Sequence, residues 1–210
     1  MLRVIAVAVL ALPLAGCMEW FYGQTYDETQ SGKLSGKLIV EWIDQDKFVF
    51  LPDERDPLVF TRSSGEKIQP RSMFTDGGSI PRALRAVKSY SPWGYAPAFI
   101  VHDWLFVMNH CKISGHEKYD VEKAAQVMAE VMKTVMENPK FGGPNKLVLY
   151  SMYEAVKSPV AKGYWENGKC ETPSGKRLMP QARSRSIRSR SLTQTETKSA
   201  PVRPRFEISF

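Results

Sequence analysis

The sequence predicts an α+β domain in which a small antiparallel sheet is followed by three helices, ending in a disordered C-terminal tail. Three observations carry that reading. Short β-rich runs separated by turn residues fill residues 38–69, apolar residues recur at helical spacing from Ala96 onward, and the stretch after Ser174 is poor in apolar side chains. The implied organisation is a leader over residues 1–16, a linker over 17–36, the α+β domain over 37–170 and a basic tail over 171–210.

The leader comes first in the chain. Met1-Leu2-Arg3 supplies a positive start, Val4 to Leu14 an apolar run too short to span a bilayer, and Ala15-Gly16 small residues at a cleavage point. Leu14-Ala15-Gly16-Cys17 resembles the lipobox of bacterial lipoproteins. That resemblance implies diacylglycerol on the Cys17 thiol and a chain tethered in the cell envelope, facing the periplasm. Met18, rather than Asp, beside the cysteine resembles the pattern sorted to the outer membrane. An ordinary secretory signal and an uncleaved anchor are the alternatives. With Cys17 assigned to lipid, Cys111 and Cys170 remain, and an oxidising compartment suggests a disulfide between them; two independent thiols are the other reading.

Residues 19–36 are polar and carry Trp20, Phe21, Tyr22 and Tyr26, as expected of a linker whose aromatics lie at a membrane interface. Leu38 to Ile43 and Lys47 to Leu51 flank the turn composition Asp44-Gln45-Asp46 and read as a hairpin. Leu58 to Thr61 and Lys67 to Gln69 add two further strands around Ser63-Ser64-Gly65. The glycines of Asp76-Gly77-Gly78-Ser79-Ile80-Pro81 permit close backbone approach, and Pro81 opens a short helix to Val87. Ala96 to Met108 is apolar almost throughout, as in a helix buried on all sides. Glu117 to Glu137 places Val121, Ala124, Ala125, Met128, Val131, Met132 and Val135 on one stripe, and Asn145 to Lys157 forms a third helix ended by Pro159.

The chain's net charge of +7 belongs to its tail: residues 174–210 hold nine Lys and Arg against two Glu, and the rest balances at twenty against twenty. A polycation of this kind docks on anionic lipid or lipopolysaccharide phosphates, or is simply a solvated extension. Export makes nucleic acid the least fitting partner. The alternating Phe206-Glu-Ile-Ser-Phe210 resembles the closing strand of an outer-membrane barrel, but no set of barrel strands precedes it.

The candidate chemistry sits in the apolar helix. A buried imidazole and carboxylate at His102 and Asp103 require partners. Successive helical residues diverge by about 100°, so His102 can meet Asp120 from a neighbouring helix while Asp103 faces the glycine loop. The first contact makes His102 an Asp-oriented general base, with Asp120 its orienter. The second makes Asp103 and Asp76 an oxygen-rich corner for a hard cation such as Ca²⁺. His102-Asp103-Trp104-Leu105-Phe106 resembles the His-Asp-x-x-Tyr helix of secreted phospholipase A2, which implies calcium-dependent hydrolysis of lipid esters with these roles. Phe106 stands where that family has Tyr.

Phe74-Thr75-Asp76, Ser79, Pro81, His102-Asp103, Leu105 and Asp120 also resemble the pattern of the domain of unknown function 1353 family over roughly Leu38 to Tyr153. That resemblance implies a phage or prophage context and no set activity. Against the hydrolase stands a non-catalytic envelope lipoprotein that acts by binding, in phage exclusion, assembly or release, with His102 bonded for stability. Asp76 equally reads as a turn and helix cap, and Ser79 fits an N-cap better than a nucleophile. His110, Cys111 and His116 lack recognised zinc spacing.

Overall fold

The computed structural model describes residues 19–44, 47–76, 92–141, 143–173 and 204–210. The leader with Cys17, the glycine loop from Gly77 with the short helix to Val87, and the Arg/Ser run of the tail lie outside the described residues. Five helices and two antiparallel sheets make up the rest. Helix α1 covers residues 19–28. Strands β1 (Lys33–Ser35), β2 (Lys37–Asp44), β3 (Lys47–Phe50), β4 (Val59–Thr61), β5 (Lys67–Ile68) and β6 (Met73–Thr75) follow. Then come α2 (Ala96–His110), α3 (Val121–Glu137), α4 (Lys146–Val156) and α5 (Pro159–Asn167), and the last strand is β7 (Arg205–Ser209).

The expected sheet is divided in two. One has the order β6-β3-β2-β7 and the other β1-β4-β5. The predicted hairpin is β2–β3, with Val40 opposite Phe50 and Trp42 opposite Phe48. β4 and β5 pair across the Ser63-Ser64-Gly65 turn. Gly36 lets the chain pass from one sheet to the other. It has φ +90°, and a Cβ there would run into the Pro57 carbonyl, so a side chain fits neither the backbone nor the space.

Three segments depart from the sequence expectations. The supposed linker forms α1: Tyr22 and Tyr26, four residues apart, face the domain, with the Tyr22 ring 4.9 Å from that of Tyr150 and Tyr26 buried. Lys133 Nζ donates to the carbonyls of Tyr26 (2.9 Å) and Thr29 (2.8 Å), satisfying acceptors that a helix end leaves open. The tail expected to be disordered over 171–210 ends in a strand. β7 lies antiparallel to β2 with Ile208 opposite Leu38 and Phe206 opposite Val40, and Phe210 stacks on Phe141 at 5.5 Å. Its period-2 alternation closes this chain's own sheet edge, which an unpaired β2 would leave open. The helix expected to stop at Pro159 does end before it, at Val156, but residues 159–167 then form a further helix that the sequence reading did not include: Pro159 starts α5 in its first turn, where a missing N–H costs nothing, behind Ser158 Oγ accepting from the Ala161 N–H at 3.3 Å.

The core lies between the sheets and α2–α3–α4. Every stripe residue predicted on α3 is buried, as are most α2 positions from Ala96 to Leu105. One buried charge crosses this core. Glu130, 3% exposed on α3, receives Arg62 Nε at 2.8 Å and Nη2 at 2.7 Å, and Arg62 Nη1 also donates to Glu66 at 2.9 Å. The Tyr119 hydroxyl donates to the other Glu66 oxygen at 2.7 Å. Hydrogen bonding to Glu130 raises the Arg62 pKa further above its already high value. Burial alone would raise Glu66, but the Tyr119 and Arg62 hydrogen bonds outweigh it and hold the carboxyl below its usual range. Burial, and then Glu66, push the Tyr119 hydroxyl well above its ordinary value.

These shifts set a pH window. Glu66, lowered on folding, stabilises the fold above the ordinary carboxylate range, and that contribution is lost as pH falls through it. Tyr119, raised on folding, stabilises below its unperturbed pKa of 10.0 and loses that contribution as pH rises beyond it. Thermal unfolding followed by circular dichroism is expected to show stability declining on both flanks, and Glu66→Gln is expected to flatten the acid flank.

Candidate functional site

β6 and α2 build the site. Along β6, Met73 and Thr75 point to the buried side and Phe74 to the other, the ordinary alternation of a strand. The Thr75 hydroxyl therefore faces α2 and donates to Asp103 Oδ2 at 2.6 Å, which ties the end of β6 to the middle of the helix. Asp103 keeps about a quarter of its side chain exposed. Its neighbour His102 is 7% exposed. His102 Nδ1 lies 3.7 Å from Asp103 Oδ1, beyond hydrogen-bond length, and Nε2 is buried with no hydrogen-bond partner.

The far side of the imidazole is closed by aromatic packing. Phe106, one turn on, has its ring 4.9 Å from that of His102, and Trp165 of α5 meets Phe106 edge-on at 4.9 Å. α5 is held there by Asn109 Nδ2 donating to the Trp165 carbonyl at 2.8 Å and by His110 Nε2, 2.9 Å from the Tyr164 carbonyl. A disulfide joins Cys111, just after α2, to Cys170, just after α5, across a sequence separation of 59. In the chain-entropy treatment such a loop is worth about 4 kcal/mol. The phenyl ring at Phe106 thus forms part of a seal and gives the imidazole no polar neighbour.

The predicted residues are only partly brought together. Thr75, His102 and Asp103 adjoin, and exposed Asp76 follows Thr75 directly. Asp120 does not orient His102. Its Oδ1 accepts from the Lys123 N–H at 2.7 Å as the N-cap of α3, a role that Asp immediately before an apolar stripe commonly fills. Among the described residues no three His, Cys, Asp or Glu side chains are grouped as metal ligands. One Asp103 oxygen is engaged by Thr75, and the glycine loop expected to complete the oxygen-rich corner with Asp103 and Asp76 lies outside the described residues. His110 and Cys111 are committed to the contacts above, and His116 Nδ1 sits 3.9 Å from Glu117.

Residues 55–141 match the profile of the family described as "Protein of unknown function (DUF1353)". That segment is a DUF1353 domain. It runs from before β4 to just past the end of α3 and so includes Arg62, Thr75, His102, Asp103, Asp120 and Glu130. No curated protein and no solved structure matches the chain.

Sequence reasoning did not single out the Arg62–Glu66–Tyr119–Glu130 network. Its signal was present in α3, where Glu130 falls one turn after Val127 and one residue before Val131 on an otherwise apolar side. Thr75 was read as part of a motif, without its inward-facing hydroxyl being given a partner.

The Thr75–Asp103 contact is expected to carry about 1.5 kcal/mol, the value of a partly exposed hydrogen bond to a charged acceptor. Thr75→Val should lower urea-unfolding stability by about that amount, and Thr75→Ser should restore most of it.

Proposed function

We propose that this protein is an exported, lipid-anchored envelope protein of phage or prophage type that acts by binding, with Thr75, His102 and Asp103 serving to lock β6 against α2. The observation that carries this reading is the closure of His102. Its Nε2 is buried without a partner, Phe106 covers the ring, and the carboxylate suited to orient it, Asp120, is spent on capping α3. A general base must reach the proton that it abstracts, and an imidazole orienter must be within hydrogen-bond distance.

Lipid anchoring is supported by the lipobox-like Leu14-Ala15-Gly16-Cys17 and by the aromatic residues just after it. Trp20 and Phe21 are 62% and 50% exposed on α1, within four residues of the cysteine, where aromatic side chains suit a bilayer interface. Among the described residues no helix is long and apolar enough to cross a membrane, so the tether in this reading is the lipid at Cys17. The basic segment 174–203 would add salt-sensitive attraction to anionic lipid or lipopolysaccharide, and the outer membrane is the favoured site. The bound partner in this reading is a receptor or tail component, and the outcome exclusion, assembly or release.

A competing reading is a phospholipase A2-like hydrolase with His102 as base and Asp103 and Asp76 near calcium. It draws on the same unpartnered Nε2, since buried polar atoms left without partners gather at functional sites. One experiment separates the two. A soluble form starting at Met18 is given mixed anionic vesicles with calcium or with chelator, beside His102→Ala and Asp103→Asn. The binding reading predicts no fatty-acid release from folded protein. Calcium-dependent release that disappears in both variants would overturn it.

A further inference from the structure

On another side of α2 lies a hollow that the His102 site does not use. Trp104 and Met108, four residues apart on the helix, form part of its floor with Ile113, while Lys67 and Arg71 stand on the β5 side of its rim. Trp104 leaves the helix about 200° around from His102, so the two places are distinct. The free volume is about 170 Å³. A dry apolar cavity of about 150 Å³ holds a benzene ring, so this hollow has room for one ring or branched aliphatic group and not for a diacyl lipid.

The charges at the rim are uncompensated. Lys67 and Arg71 are exposed, and among the described residues neither forms an ion pair or side-chain hydrogen bond and no Asp or Glu lines the hollow. The nearest carboxylate in sequence, Glu66, is occupied by Arg62 and Tyr119. The opposite wall is also fixed in place. It begins at the Cys111–Cys170 disulfide, turns through Lys112 at φ +52° and Gly115 at φ +92°, and is held by the Ile113 N–H donating to the Met108 carbonyl at 3.0 Å. It ends at Tyr119, tied to Glu66, and at the Asp120 cap. Apolar Trp104, Met108 and Ile113 and the two cations line one hollow, so a ligand that fits it has both an apolar and an anionic part.

We propose that this hollow binds a small carboxylate borne on an aromatic or branched aliphatic group, with the apolar part on Trp104, Met108 and Ile113 and the carboxylate between Lys67 and Arg71. Such a carboxylate is either a free acid or the last residue of a peptide. The site stands whether or not His102 is catalytic.

The full chain is titrated calorimetrically, with tryptophan fluorescence recorded in parallel. The ligands are phenylacetate, its neutral analogue phenylacetamide, the tripeptide Gly-Gly-Phe and the same tripeptide amidated. Saturable binding of phenylacetate, weakened at least tenfold for phenylacetamide and in the Lys67→Gln/Arg71→Gln double variant, is the expected result. Trp104→Phe should remove the fluorescence change. Both rim side chains are exposed, so the double variant is expected to melt with the parent, which circular dichroism checks. Tighter binding of Gly-Gly-Phe than of phenylacetate, lost on amidation, would assign the ligand to a peptide end; the reverse order assigns it to a free acid. Equal binding of phenylacetate and phenylacetamide, unchanged binding in the folded double variant, or no binding at millimolar ligand overturns the proposal.

Discussion

Arg62 and Glu130 hold the two halves of this fold together. The guanidinium comes from the strand side, just past β4, and the carboxylate from the middle of α3, and they meet through two hydrogen bonds inside the core. Neither charge tolerates that position alone. Removing one partner of a buried pair costs about 3–5 kcal/mol, because the other is left desolvated, whereas an apolar pair of similar volume can serve as well. The pair therefore specifies which strand meets which helix more than it adds net stability. It also fixes its surroundings. Arg62 positions Glu66, Glu66 holds Tyr119, and Asp120 next to it caps α3. The register of α3 is set at both ends of this chain of contacts, and Thr134 one turn on receives the Gly32 N–H at 2.8 Å as the chain enters β1.

With α3 placed, α2 is confined between it, β6 and α5. That confinement explains why His102 and Asp103, adjacent in sequence, have different fates. Asp103 faces the end of β6 and finds the Thr75 hydroxyl, while His102 turns toward Phe106 and is sealed under Trp165. The disulfide closes the same corner from outside, linking the ends of α2 and α5. A site of this construction favours rigidity over access, which is the physical basis for reading the protein as a binder. The hollow beside Trp104 is open to solvent on a different side of the same helix, so one apolar helix supplies both a sealed node and an accessible recess.

Much of this was legible in the sequence wherever periodicity was long and strict. The β2–β3 hairpin, the apolar α2 and the one-sided α3 follow from alternation, uniform apolarity and a helical stripe. The α+β class follows from their order. Elements whose signal depends on distant partners were harder to read. Residues 19–28 are polar enough for a linker and become a helix because Tyr22 and Tyr26 find α4 and Lys133. Arg205–Ser209 alternates correctly but lacks a partner until β2 offers its edge. Asp120 shows the limit most sharply: the sequence placed it in the first turn of a helix starting at Glu117, as the orienter of His102, whereas the helix starts after it and its Oδ1 accepts from the Lys123 N–H at 2.7 Å. Glu130 lies on the apolar side of α3 with nothing nearby in the sequence to mark its role, because its partner, Arg62, is 68 residues away.

The most direct test is a double-mutant cycle on Arg62→Met and Glu130→Leu, with unfolding free energies from urea titration. If this pair is the constraint on which the rest depends, each single substitution lowers stability by about 3–5 kcal/mol and the double variant recovers most of that loss. Small single effects that simply add in the double variant would contradict the account, and would mean that α3 is positioned by apolar packing alone.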